Sequence, residues 1–469
     1  MLSRLTIAAG MASVLLAGTA YAQPATLQEA LSAAYSNNPT LQTSRAQLRA
    51  TDENVPTALA GWRPQVQFTG AVGPTQPTIS QVSTNPITRQ QQTSTSTTHS
   101  TESAVSLTVT QPLYRGGKTR ASTNHAENQV LSARAQLLAT EEQIFSDTVA
   151  AYVNVVQDEQ ILLVDISNEQ VLSKQLQSTN DRFRVGELTR TDVAQAESAL
   201  ASASATRQTA EGTLEAARAT YEQLVGERPG KLKDPQPLQP PVKTLADAKA
   251  EASRNNPNVV AALFAVSAAR DAFDIAYSAL MPNLSVQGSL SRSSNQFAPG
   301  YTATAGTVLL NLTLPIFQGG SEYAGIRQAR QQVIQAQKQL EDQRRTAVQQ
   351  ATTAWEQLAA ARAAVISDRA AIRAGQIALE GIERQALVGS ATTLDVLTAE
   401  QVLFNAQTTL VQTLAQLVTA SYQVASAVGR LTARDLNLQV PLYDEKAYYT
   451  AVKNLWIGTG DYATDQPGR

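Results

Sequence analysis

The chain has 469 residues, no cysteine, 2 His, 3 Trp and 3 Met, and 37 basic side chains stand against 39 acidic ones. Zero Cys excludes disulfides, thiolate metal sites and thiol nucleophiles. A net charge of −2 leaves no basic face for a nucleic acid, and two histidines, His99 and His125, are too few for a multi-histidine metal centre or His-based catalysis.

Residues 1–22 read as a secretory signal peptide: Arg4 supplies the positive start, Leu5 to Leu16 the apolar core, and Ala20-Tyr21-Ala22 the cleavage pattern, so the mature chain is expected to begin at Gln23. No later window holds 18 uninterrupted apolar residues, so a membrane crossing by the exported chain has to use strands. A helix is expected over 26–60. Strands follow over about 64–73 and 102–112. In the first, Val66 and Phe68 alternate with Gln65, Gln67 and Thr69; in the second, Val105, Leu107 and Val109 alternate with Ser106, Thr108 and Thr110. The Ser/Thr/Gln-rich stretch around 76–101 is expected to be an extracellular loop, with His99 solvated in it. Residues 118–184 contain neither Gly nor Pro, which allows one helix roughly 100 Å long at 1.5 Å per residue. Ile144, Thr148, Tyr152, Val155 and Leu162 recur in it at helical spacing, while His125 near its start is expected to be solvated. It stops at Val185-Gly186, and a second helix over 190–226 follows. Pro229, Pro235, Pro237, Pro240 and Pro241 mark a connector over 230–243.

The same series then recurs: a helix over 244–280, strands over about 282–291 and 305–315, and helices over 320–387 and 393–429. Leu284, Val286 and Leu290 alternate with Ser285, Gln287 and Ser289; Val308, Leu310, Leu312 and Leu314 alternate with Asn311 and Thr313. Asn37-Asn38-Pro39 matches Asn255-Asn256-Pro257 at an offset of 218, as Pro64 matches Pro282. Pro112 to Gly117 matches Pro315 to Gly320 at an offset of 203, and so do Val185-Gly186 with Val388-Gly389, Asp192 with Asp395 and Gly226 with Gly429. The drop of 15 is the 76–101 insertion. The chain therefore reads as a tandem duplication, with 23–229 and 244–430 as its units and 431–469 as a tail. Each strand has the length and one-faced pattern of a membrane-spanning strand, and Trp62, Tyr114 and Phe317 sit at the ends facing the helices, as an interfacial belt would. Four strands cannot close a barrel, and open edges are not tolerated in lipid, so several copies have to share one; three would give 12 strands.

The paired Pro-Leu-Tyr-Arg-Gly-Gly and Pro-Ile-Phe-Gln-Gly-Gly strand exits, the two Val-Gly turns followed by Thr-Asp-Val and Leu-Asp-Val, the two Asn-Pro helix starts and the tail Pro441-Leu-Tyr-Asp resemble the TolC family of outer-membrane efflux proteins. Absence of Cys resembles its non-lipidated branch. The resemblance implies a fold that is mainly α with a β-barrel part: a homotrimeric, 12-stranded transmembrane barrel, four strands per chain, continuing into a long α-helical coiled-coil tunnel through the periplasm. It implies an exit duct, not an enzyme, set in outer-membrane lipid and serving a tripartite efflux pump or a type I secretion system. A periplasmic adaptor and an inner-membrane transporter, ABC or proton-driven, are the implied partners; no cofactor, metal or nucleic acid is implied. The competing reading is an exported coiled-coil structural protein or a periplasmic adaptor.

The tips Val185-Gly186-Glu187-Leu188 and Val388-Gly389-Ser390 are helix-capping glycines by sequence, and adaptor contacts by resemblance. Asp192 and Asp395, three residues after Thr189 and Thr392, read as capping patterns; the resemblance adds a ring of carboxylates at the periplasmic aperture. This chain departs from the best-known member, carrying Ala386, Ala391 and Thr398 where that protein has a Tyr, an Arg and a second aperture carboxylate. Arg184, Arg190 and Arg384 are the candidate substitutes in the closure network.

Overall fold

The computed structural model describes residues 25–296, 299–460 and 462. The expected signal peptide over 1–22 lies outside them.

Helices α1 (Leu27–Asn37), α2 (Pro39–Asp52) and α3 (Asn54–Leu59) lead to a sheet formed by β1 (Gln65–Thr75), β4 (Ser100–Arg115), β5 (Asn283–Ser294) and β6 (Thr302–Thr313). A separate hairpin, β2 (Thr78–Thr84) and β3 (Gln91–Thr97), fills the insert between β1 and β4. From the sheet descend the long helices α4 (Lys118–Arg184) and α8 (Ser321–Leu387), each of 67 residues or roughly 100 Å. Each turns back into a half-length helix, α5 (Arg190–Val225) or α9 (Thr393–Ala427). The upper half beside α8 is α6 (Leu245–Asn255) and α7 (Pro257–Tyr277); α10 (Ala447–Val452) lies in the tail.

Two expectations need correction. The helices expected as continuous over 26–60 and 244–280 are broken at Asn38-Pro39 and Asn256-Pro257. Proline removes the amide an interior turn needs but fits the first helical position, so each Asn-Pro starts a new helix. Asn38 caps it by accepting from the Thr40 and Leu41 amides, and Asn256 does so for Asn258. The insert expected as a loop is a paired hairpin, because its β-branched and hydroxyl side chains face one another: Thr78 with Thr97 at 3.0 Å and Ser80 with Thr95 at 3.2 Å.

The sheet order β1-β4-β5-β6 is antiparallel throughout and leaves β1 and β6 as open edges. Register aligns Val66, Val109, Gly288 and Val308 in one row, and Phe68, Leu107, Leu290 and Gly306 in the next. The opposite face carries Gln67, Thr108, Ser289 and Thr307. The buried core sits instead around the middle of the shaft. Leu31, Leu41, Phe145, Tyr152, Tyr221 and Leu431 form one cluster; Ala248, Ala347, Ala351, Leu358 and Val424 form a second, where alanine lets the helices approach closely; Val55, Ala126 and Val130 form a small third nearer the sheet. The Tyr152 hydroxyl lies 2.7 Å from the Lys233 carbonyl and 3.0 Å from that of Ala25, tying the connector to the shaft. Among the described residues no helix is long and apolar enough to cross a membrane.

Candidate functional site

The far ends of the long helices are built twice on one plan. At the first tip, the Gly186 amide donates to the Phe183 carbonyl at 3.0 Å and the Glu187 amide to Arg182 at 2.9 Å. At the second, Gly389 donates to Ala386 at 3.2 Å and Ser390 to Gln385 at 2.9 Å. This double bond pattern is the Schellman closure, which requires a left-handed residue, and Gly186 and Gly389 supply it with φ of +84° and +78°. A Cβ on either glycine would meet nothing within 4 Å, so both turns face open space. Val185 and Val388 beside them are 73% and 79% exposed in one chain. Glu187 and Ser390 are exposed too, and Leu188 is half-buried.

Asp192 and Asp395 close the next turn as capping residues. Thr189 and Thr392 accept from the aspartate amides, and the aspartates accept in return from the threonine amides at 2.9 Å and 2.8 Å. The same Thr donors hold both carboxyls below the usual carboxylate range. Within one chain the candidate arginines turn elsewhere: Arg184 pairs with Asp181 and Arg384 with Glu380. Arg190 is the first residue of α5, and Glu187 pairs with Arg182 at 3.0 Å. Thr398 donates to the Leu394 carbonyl at 2.7 Å.

At the other end, the apolar rows of the sheet are exposed in one chain: Val66, Phe68, Leu107, Val308 and Leu310 all stand free of the core. Trp62, Tyr114 and Phe317 are exposed where the sheet meets the helices. Gln111 donates to the Trp62 carbonyl at 2.9 Å. Trp456 was not among the aromatic residues expected at this level. Arg63, adjacent to Trp62, donates to the Leu455 carbonyl at 2.7 Å and lies 4.9 Å from the Trp456 ring, so the tail brings that indole to the same level.

His125 is half-buried, not solvated: Nδ1 lies 2.7 Å from the Ala268 carbonyl, bracing α4 against α7, and Nε2 meets Gln129. Sequence reading also passed over buried carboxyls, among them Glu142 on α4 and Asp52 on α2. Burial pushes Glu142 up to about 8 and Asp52 up to about 7. Their only sequence signal is an acidic residue on a face otherwise facing the core. Among the described residues no group of three or more His, Asp or Glu is placed to hold a metal.

The model of the outer membrane efflux protein family matches residues 30–227 and 250–430, and so takes in both long hairpins and all four strands of the sheet. The chain belongs to this family. It is 36% identical over 455 residues to the outer membrane efflux protein BepC of Brucella suis, covering 95% of each chain. It is 24% identical to the outer membrane protein TolC of Escherichia coli over 63% of each. The crystal structure of VceC, an outer membrane protein of Vibrio cholerae, superposes with a TM-score of 0.72 at 20% identity, covering 86% of this chain and 96% of that one. The fold is that of the TolC-like trimeric channels. As a member of the efflux protein family the chain is an outer-membrane channel with a helical tunnel extending into the periplasm.

Proposed function

We propose that three copies of the chain close one 12-stranded barrel and act together as the exit duct of a tripartite efflux pump or a type I secretion system, with no catalytic step of their own. The observation that carries this reading is a four-stranded sheet with an exposed apolar face and two open edges, continuous with helices roughly 100 Å long. Strand edges in lipid need partners, and the β6 edge of one copy and the β1 edge of the next are the two that remain. The chain is read as two copies of one unit, 23–229 and 244–430, with a connector over 230–243, a signal peptide over 1–22 and the tail over 431–469.

In this reading an inner-membrane transporter, ABC or proton-driven, supplies the energy. A periplasmic adaptor meets the tips at Val185, Gly186, Glu187, Leu188, Val388, Gly389 and Ser390, where the backbone is open to an approaching helix end. Asp192 and Asp395 of three copies line the aperture, with Arg184, Arg190 and Arg384 within the closure network, and Trp62, Tyr114 and Phe317 sit at the membrane interface.

The tip contact is tested by photo-crosslinking from position 185 to a co-expressed adaptor in Gly186→Trp and Gly186→Ala chains. Both variants carry the strain of a left-handed residue, but only tryptophan fills the open space. The expected result is loss of crosslink and transport with Trp and retention with Ala. Intact crosslinking and transport in a folded Gly186→Trp channel would sink the contact.

A further inference from the structure

Midway along the shaft, where α7 begins at Pro257 and α9 ends at Ala427, the two half-length helices abut. Asn256 donates from Nδ2 to the Ala427 carbonyl at 3.3 Å across the joint. Beside it α4, α7, α8 and α9 line an open cavity of about 300 Å³. Its lining is polar, with Gln143, Asn258, Gln349, Gln350, Gln357 and Gln423 around the mouth, and it contains no Lys, Arg or His. Glu142 lines it from α4. That side chain is only 4% exposed, and its Oε1 is buried without a hydrogen-bond partner.

A buried carboxylate is costly unless a positive group answers it. The Leu431 amide favours the charged form of Glu142, but the charged groups that act on it are Glu141 and Asp435, both acidic, which add to the burial penalty. From α7, α8 and α9 the cavity receives only amides, hydroxyls and alanines. The fold does not impose this charge. At the equivalent position of the second long helix, 203 residues on, stands Arg345, exposed and paired with Glu341.

We propose that this cavity binds a small monovalent cation, with the Glu142 carboxylate as its anionic ligand and carboxamide oxygens of Gln143, Asn258, Gln349 and Gln423 completing the shell. One carboxylate among neutral oxygens suits a single positive charge; calcium-type sites gather more carboxylates. The volume exceeds that of a bare ion, at about 30 Å³ per water, so the cation arrives hydrated or as a primary ammonium. Both sources share the same recognition chemistry: one charge, small size and oxygen ligands.

The test is the thermal unfolding midpoint of the full chain purified in detergent, titrated with rubidium chloride, methylammonium chloride and choline chloride at constant ionic strength. A saturable rise with rubidium assigns an alkali metal, one with methylammonium assigns an ammonium group, and choline is too large to follow either. Glu142→Gln should raise the half-saturation concentration about tenfold or abolish the response, as loss of one charged hydrogen-bond partner predicts. Gln349→Ala, at the exposed mouth, should weaken it severalfold while leaving the buried charge in place. The proposal is overturned if the three salts act alike, or if Glu142→Gln responds as the parent does. Should that variant fail to fold, an unchanged half-saturation in Gln349→Ala overturns it equally.

Discussion

Asp192 accepts from the Thr189 amide at 2.9 Å and from its hydroxyl at 2.6 Å, and Asp395 repeats this with Thr392 at 2.8 Å and 2.7 Å. Capping and charge are separable in these residues. An asparagine retains an acceptor for the same N–H groups but carries no charge. The carboxyls are held below their usual value of 3.8, chiefly by the Thr189 hydroxyl for Asp192 and by the Thr392 amide for Asp395. A lowered folded pKa means that the stabilisation is present above that usual value and is lost as pH falls through the lowered one. Both carboxyls therefore stay charged through the neutral and mildly acidic range. Replacing both by Asn should leave the far-ultraviolet helix signal intact while lowering the cation-over-anion selectivity of single channels at pH 7, with the parent keeping its selectivity down to about pH 5. Equal selectivity in parent and double variant would remove the aperture role and leave only the caps.

At the scale of elements, the two end-to-end joints decide how the half-length helices stack. In the first half Asn38 donates to the Leu224 carbonyl at 3.0 Å; in the second Asn256 donates to Ala427. The glycines beside them are not equivalent. A Cβ on Gly226, with φ +90°, would come no closer than 3.6 Å to Asn37, whereas on Gly429, with φ +77°, it would meet the Asn255 carbonyl oxygen at 2.5 Å. Gly226→Ala should therefore cost about 1–2 kcal/mol of left-handed strain alone. Gly429→Ala should cost more, because the backbone of α6 has to shift as well, and thermal midpoints of the two purified variants would rank them. The joints also mark where sequence reading stopped. Periodicity and the long proline-free runs made α4, α5, α8 and α9 legible, because those signals are local. The Asn-Pro pairs were visible as helix starts, yet the joints they make are with Leu224 and Ala427, 186 and 171 residues away. Glu142 was illegible for the same reason: its burial is made by α7, α8 and α9 arriving around α4. The β2–β3 hairpin was hidden in a low-complexity stretch whose turn is held by Asn85 accepting from the Ile87 and Thr88 amides.

At the scale of the molecule, aromatics are only 5% of the chain and much of its apolar fraction is alanine. These values suit a shaft packed mainly around its joints, and a sheet that leaves its apolar residues exposed. Strand alternation was legible, although Leu309 breaks it by standing on the polar face opposite Gln287. That exception gives a controlled pair of adjacent positions. Val308, 79% exposed in one chain, lies mid-strand in the row with Val66 and Val109, and Leu309 points the other way. If the Val308 face meets lipid, Val308→Arg places a charge near the bilayer centre at about 2–4 kcal/mol per chain. A closed barrel carries that penalty three times over, since every copy contributes the same row. Leu309→Arg places an equal charge in the water-filled lumen, where such a penalty is absent. Heat-resistant oligomer bands from outer-membrane fractions should accordingly vanish or weaken for Val308→Arg and persist for Leu309→Arg. The opposite ranking would turn the sheet inside out. Equal persistence of both would mean that neither face is in lipid, and the barrel would have to be abandoned.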